Sequence, residues 1–276
     1  MTTQNLILIT GGTGKTGRRI VQRLQQQNIP VRIGSRSANP PFDWENEATW
    51  TPALKDVLTA YIAYQPDIAI PGAVDTIQKF VDKAVASGVQ RLVLLSGRGE
   101  PEAQLCETIV AKSGVAWTVV SASFFAQNFS EGFVLESIQS GEVVLPTTTM
   151  AEPFIDVDDI ADVATAALIE DGHSGKIYEV TGPRLLTFKE AVEEISRAVG
   201  RQIQYVSVPV EAYTQGAKDV GVPDAIVWLM EYLFTTVMDG RNAYLGDGVQ
   251  QALGRKARDF SEYVQQVAQT GIWNNS

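Results

Sequence analysis

The chain has one cysteine, Cys106, and one histidine, His173, among 276 residues. A lone cysteine excludes an internal disulfide, and the compartment expected from it is the reducing cytoplasm. One cysteine with one histidine also leaves no ligand set for zinc, so no metal is expected. Basic residues are in the minority: 22 Lys and Arg face 32 Asp and Glu, for a net charge of −10. A surface of that sign repels phosphate backbones, so nucleic acid is not an expected partner. Long hydrophobic runs are missing too. The most apolar stretch, AIVWLMEYLFTTVM at 225–238, holds Glu231 and is too short for a bilayer. It reads as a helix buried against protein, and no membrane partner is expected. The N-terminus enters a strand-like run without a basic region and an apolar stretch, so no signal peptide is read there.

What is present is a strand–helix rhythm. Short apolar runs at 6–10 (LILIT), in PVRIGS, at 58–64 (LTAYIAY), 91–96 (RLVLLS) and 116–122 (AWTVVSA) alternate with helical patterns, among them one ending at Gly88. Alternation of this kind makes a parallel sheet with helices on both faces. The expected fold is therefore α/β, a Rossmann-type doubly wound parallel sheet with a smaller, mostly helical C-terminal lobe. Residues 37–57 are irregular, with Pro40-Pro41 and two tryptophans, as if a regular unit had been shortened. Beyond residue 122 the rhythm loosens. EPFIDVDDIADVATAALIE reads as a strand or turn and then a helix, with Asp156, Asp158 and Asp159 near its positive end. KIYEVTG and QYVSVP read as later strands. TFKEAVEEISRAVG opens with Thr187 and has Glu190 three residues on, a capping-box spacing. The expected division is 1–150 as the nucleotide-binding domain, with sheet elements recurring at about 151–182, and 183–276 as a substrate lobe.

The stretch ILITGGTGKTG at 7–17 has two readings. Gly14-Lys15-Thr16 resembles the end of a Walker A loop, G-x-x-x-x-G-K-[ST]. Its first glycine would then fall at residue 9, which is Ile9, inside the strand, and no later strand offers a good Walker B aspartate. The other reading, Gly11-x-x-Gly14-x-x-Gly17 between a strand and a helix, is a dinucleotide turn with the pyrophosphate on the helix N-terminus. Lys15 then adds a nearby positive charge. An NAD site places an acid at the end of the second strand; here that strand ends IGSRS. Arg36 is placed to pair with a 2′-phosphate, with Ser35 or Ser37 adding a hydrogen bond. The expected cofactor is NADP(H).

ITGGTGKTGRRIVQRL, IGSRS, GVQRLVLLSG, SGVAWTVVSASFFAQNF and FIDVDDIADVATAAL follow one another in this order. The set resembles the NmrA-like atypical short-chain dehydrogenase/reductases over roughly residues 5 to 210. With SRSANPPFDWENEATW it is similar to their festuclavine/agroclavine dehydrogenase branch and its bacterial relatives. The resemblance implies NADPH-dependent reduction of a small organic molecule, in that branch a cyclic iminium. One departure bears on the chemistry. Other short-chain dehydrogenases carry a Tyr-x-x-x-Lys pair on the helix after the LLS strand, and GRGEPEAQLCETIVAKSG has no tyrosine. The lysine that many NmrA-like reductases keep there aligns with Thr108, and Lys112 lies about one turn further on.

Two functions remain open. One is a reductase for an aromatic iminium or quinone-type acceptor that needs no strong proton donor. The other is a non-catalytic NADP(H)-sensing regulator, a role also known in the family. Cofactor contacts are expected from Gly11, Thr13, Gly14, Lys15, Thr16, Gly17, Ser35, Arg36, Tyr64, Gln65, Ser96 and Phe124. The substrate pocket is expected from Phe124, Phe125, Gln127, Asn128 and Trp228. No catalytic residue is assigned; Ser96 and Asn128 are candidates, Ser96 alternatively a cap, the two phenylalanines alternatively core and Trp228 alternatively core or a dimer contact. Asp43 and Trp44 match the place where relatives touch the adenine. Glu231 is expected to face solvent, with a hold on a cationic substrate as its alternative, and His173 to be a turn residue. The partner is a small-molecule substrate, and the chain is expected to be a monomer or homodimer.

Overall fold

The computed structural model describes residues 5–146 and 150–274. The first four residues, at the N-terminus on which the absence of a leader was read, and residues 147–149, beside the boundary expected at 150, lie outside them. In chain order the elements are β1 (Leu6–Thr10), α1 (Lys15–Gln26), β2 (Val31–Gly34), α2 (Trp50–Leu54), β3 (Val57–Ile62), α3 (Ala73–Ala86), β4 (Arg91–Gly97), α4 (Pro101–Ala111), β5 (Ala116–Ala122), α5 (Asn128–Glu131), α6 (Leu135–Ser140), β6 (Glu142–Pro146), α7 (Val157–Ile169), β7 (Lys176–Val180), α8 (Phe188–Val199), β8 (Gln204–Val208), α9 (Val210–Asp219), α10 (Asp224–Tyr232), α11 (Gly248–Leu253) and α12 (Phe260–Gln269).

By its contacts the chain forms two compact units. The first comprises residues 1–122, 157–180 and 247–255; the second comprises 123–156, 181–246 and 256–276. The breaks between these units fall at Ala122, Asp156, Val180, Gly246 and Arg255.

The first unit is a six-stranded parallel sheet in the order β2-β1-β3-β4-β5-β7. Successive strand residues point to opposite faces. Leu8, Ala60, Ile62, Leu92 and Leu94 share one apolar cluster with Ile77 and Phe80 of α3 and Cys106 and Val110 of α4. On the helices α1 and α7, which pack together, Arg23 reaches Asp158 at 2.8 Å and Asp162 at 2.6 Å, and Arg255 reaches the buried Asp159 at 2.7 Å. Of the aspartates read as dipole partners, Asp158 and Asp159 thus serve as ion-pair partners. Residues 37–57 hold only a 3-10 turn, Glu47–Thr49, and the short α2. Trp44, Trp50 and Phe42 from this segment pack edge-on around Phe80.

The second unit pairs β6 with β8 in parallel, a strand pairing whose β6 member the sequence did not suggest. Its core gathers Phe129, Phe154, Phe188 and Phe260 with Tyr263 and Trp273. Arg184 clasps Glu194 at 2.7 Å and Asp259 at 2.8 Å. The capping box of α8 is present: Glu190 N–H donates to Thr187 Oγ1 at 3.2 Å and Thr187 N–H donates to Glu190 Oε2 at 2.8 Å. Thr187→Ala removes one half of it and is expected to cost about 1 kcal/mol in chemical denaturation.

The stretch 225–238, expected as a buried helix, is buried in its later part, where Phe234, Val237 and Met238 enter the core; in α10 Val227 is the one buried residue. Trp228 is 38% exposed and stacks on Tyr232 at 5.1 Å, while Glu231 is exposed. Among the described residues no helix is long and apolar enough to cross a membrane. His173 sits in the loop before β7, but its ring is buried and shares a 2.8 Å hydrogen bond with the Tyr178 hydroxyl.

Candidate functional site

The strand order reverses between β1 and β3, and ligands of open α/β sheets bind at the carboxyl ends of strands flanking such a switch point. The glycine turn stands there. Gly11 has φ +61°, a left-handed conformation that favours glycine, and its carbonyl accepts from Gly14 N–H at 2.8 Å. Gly17 faces that carbonyl so closely that an added methyl would lie 2.2 Å from it. The first turn of α1 consequently rests on the loop backbone. Gly14 caps α1 without a side-chain hydrogen bond, and no acid occupies the first turn. Such an N-terminus offers N–H groups and a positive dipole end to an anion.

Thr13 is exposed at the tip of the turn and Lys15 is half-buried. Thr16 faces inward: its hydroxyl accepts from the buried Tyr61 hydroxyl at 3.0 Å, and burial raises the Tyr61 phenol. At the end of β2, Ser35 and Ser37 hydroxyls lie 3.3 Å apart. Arg36 is exposed and forms no ion pair among the described residues. Following β3, the half-buried Tyr64 ring packs against Trp44 at 5.1 Å. Trp44 is itself in the core, where its Nε1–H donates to the Ala63 carbonyl at 3.1 Å. Asp43 caps Glu45 N–H at 3.1 Å. The Gln65 amide lies on the glycine turn, 3.3 Å from where a methyl on Gly14 would stand.

Ser96, offered as a catalytic candidate, is buried and donates to Glu107 Oε1 of α4 at 2.6 Å. Burial raises the Glu107 carboxyl, and hydrogen bonds from Ser96 and Ser121 oppose that rise. Thr108 and Lys112 line a groove with Val74, Gln78 and Asp82 of α3.

The loop after β5 belongs to the second unit. Ser123 donates to the Pro153 carbonyl at 2.6 Å. Phe124 is half-buried and packs edge-on against Phe188 and Phe154. Phe125 is half-buried and its backbone bridges Ile155. Gln127, expected in the pocket wall, is instead buried, its amide donating to Asp156 at 2.7 Å. Asn128 opens α5 and remains half-exposed.

The sheet order and the uncapped helix behind a glycine turn define an α/β nucleotide-binding protein of Rossmann type. The profile of the NmrA-like family matches residues 102–266, and the chain belongs to that family. Agroclavine dehydrogenase of Claviceps fusiformis is 31% identical over 281 residues, 94% of this chain and 96% of that protein. Prestalk A differentiation protein A of Dictyostelium discoideum is 27% identical, over 96% of this chain and 93% of its own. An NADPH-dependent quinone oxidoreductase from Escherichia coli, solved with NADPH, shares the fold with a TM-score of 0.78 at 19% identity, covering 95% of this chain and 99% of that one. The resemblance drawn from the motifs holds, and the chain is an oxidoreductase.

Proposed function

We propose that the protein is an NADP(H)-dependent reductase of a small, aromatic acceptor of iminium or quinone type, working without a Tyr-Lys pair. The observation that carries the cofactor half is the uncapped α1 N-terminus behind Gly11–Gly17 combined with an exposed, unpaired Arg36. Backbone N–H groups of the turn hold the pyrophosphate. Arg36, with Ser35, takes the 2′-phosphate, while Tyr64 and Gln65 border the same strand ends. Bound NADPH supplies a hydride. The protein's part is then to orient the acceptor and exclude water. Phe124, Phe125, Gln127, Asn128 and Trp228 are the proposed acceptor contacts. The agroclavine dehydrogenase and quinone oxidoreductase likenesses support this reading.

A second reading, an NADP(H)-sensing regulator, draws on the missing tyrosine of α4 and on the differentiation protein among the relatives. NADPH consumption across iminium, quinone and carbonyl compounds separates the two: turnover of any of them supports the reductase, and tight NADPH binding with no turnover supports the sensor. Arg36→Ala tests the cofactor choice. NADPH should bind the unaltered protein about tenfold or more tightly than NADH, one charge-assisted contact in size, and the variant should bind both alike. Equal affinities in the unaltered protein would sink the Arg36 assignment.

A further inference from the structure

Glu100 has no part in the cofactor cradle, yet it is built into the same edge of the sheet. It ends the turn that follows β4 and precedes Pro101, the first residue of α4. The turn folds its side chain back onto the strand end: a methyl added to Gly97 would lie 2.2 Å from Oε2 and 2.4 Å from Oε1. Gly97 is therefore the one residue type that leaves room for this carboxyl. Glu100 is 7% exposed, and Oε2 has no hydrogen-bond partner. A buried acceptor left unpaired is costly, so the position asks for a proton or a ligand.

The groups around it are acidic. Asp67 faces it from the loop after β3, and Glu102 and Glu107 from α4. Arg98, in the same turn, directs its Nε–H to Glu179 at 3.2 Å. Burial first, and then the charges of Asp67, Glu102 and Glu107, push the Glu100 carboxyl up to about 9. Burial raises Asp67 as well. The Cys106 thiol is pushed up to about 12 by burial and is no rival donor. Its burial and its acidic neighbours both favour the protonated form of the Glu100 carboxyl at neutral pH.

Its place connects it to the cradle. Gln65 lies against the glycine turn; Asp67, two residues on, exerts its charge on Glu100. β3 and β4 are neighbours, so Gln65, Asp67 and Glu100 share adjacent carboxyl ends of the sheet. We propose that Glu100 is the catalytic acid of the reductase, giving the proton on its carboxyl to the acceptor's heteroatom. The inference rests on the reductase reading above and narrows its acceptor class to compounds whose reduction creates an anion, quinones before iminium ions. Hydride addition brings two electrons and one hydrogen to the quinone and leaves a phenolate oxygen. The carboxyl O–H of Glu100 breaks as the phenol O–H forms, giving the hydroquinone. The carboxylate then regains its proton from water, with Asp67 beside it.

Glu100→Gln, in the full chain, tests this with a water-soluble benzoquinone as acceptor. The amide keeps the shape and cannot give up a proton. Its kcat is expected to fall about 100-fold, the usual size of a general acid, with NADPH affinity unchanged within about twofold. The kcat of the unaltered protein should fall as pH rises through about 9, and that limb should vanish in the variant. Infrared difference spectra without cofactor give a readout independent of turnover. A protonated carboxyl band should be present at neutral pH, absent from Glu100→Gln, and lost on raising the pH through the same region. A variant that keeps its kcat and its alkaline limb while the unaltered protein reduces the quinone overturns the proposal and leaves the reductase reading standing. An ionised Glu100 in the neutral spectrum overturns it as well. If the unaltered protein binds NADPH but reduces no acceptor, the reductase reading falls and the acid role with it.

Discussion

Gly17→Ala is expected to abolish measurable NADPH binding and to lower the melting temperature sharply. The added methyl would stand 2.2 Å from the Gly11 carbonyl oxygen, 2.7 Å from its carbon and 2.8 Å from Gly12 Cα. All three are backbone atoms, so no side chain can swing aside. Relief requires the first turn of α1 to lift off the loop. That movement strains the 2.8 Å hydrogen bond from Gly14 N–H to Gly11 and misdirects the N–H groups on which the cofactor phosphates would lie. Overpacking of a rigid site costs about 1–3 kcal/mol or more, and a misaimed anion cradle loses about 100-fold in affinity or more, since each 1.4 kcal/mol is tenfold. Gly216→Ala is the control. Gly216 lies within α9 and a methyl there meets nothing within 4 Å. The same change at that position is expected to leave NADPH binding alone and to raise stability by about 0.5–1 kcal/mol. Calorimetric titration with NADPH and thermal melts of both variants check this. A Gly17→Ala protein that binds NADPH normally would show that the close approach is not needed.

The contrast between these glycines indicates what a sequence can carry. The strand–turn–helix at 6–26 was legible because its signals are local: an apolar run, glycines three apart, then helical spacing. The same holds for the capping box of α8, where Thr187 and Glu190 are three residues apart. Other features depended on distant partners. β6 is a five-residue run made into a strand by pairing with β8, some sixty positions later. The stretch 225–238 is apolar enough to suggest burial, and its later part is buried at Phe234, Val237 and Met238, but apolar periodicity says nothing of whether a neighbour arrives to cover the α10 part. Gln127 and Ser96 fit the types expected at a site, and what turned them inward were Asp156 and Glu107, which no spacing rule links to them. Glu100 gave the least signal of all. In GRGEPEAQ it reads as an acid at a helix start, and only the fold-back onto Gly97 buries it. The two turn glycines just before it, Gly97 and Gly99, are the hint that was there to be read.

That burial has a thermodynamic consequence separate from catalysis. Glu100→Gln is expected to stabilise the protein at neutral and mildly alkaline pH, and to make no such difference in acid. The folded carboxyl titrates near 9 and the unfolded one near its ordinary 4.5. Below 4.5 both states hold the proton and the side chain carries no penalty. As pH rises between the two values, the unfolded chain releases a proton that the folded chain keeps, so stability falls by about 1.4 kcal/mol per pH unit from this group. The loss levels off once pH passes the folded value. Near pH 7 the deficit is on the order of 3–4 kcal/mol, a large part of the 5–15 kcal/mol typical of a folded protein. Asp67, raised by its own burial, works in the same direction, so removing one of the two acidic neighbours also relieves the other. An amide cannot ionise, and Glu100→Gln escapes the loss. Denaturant melts of both proteins from about pH 4.5 to about pH 9 should coincide at the acid end and separate steadily above it, the variant being the more stable. Parallel curves would mean that Glu100 is ionised in the folded state at neutral pH. A protein that retains an acid at such a cost, where glutamine would be more stable, holds it for its proton.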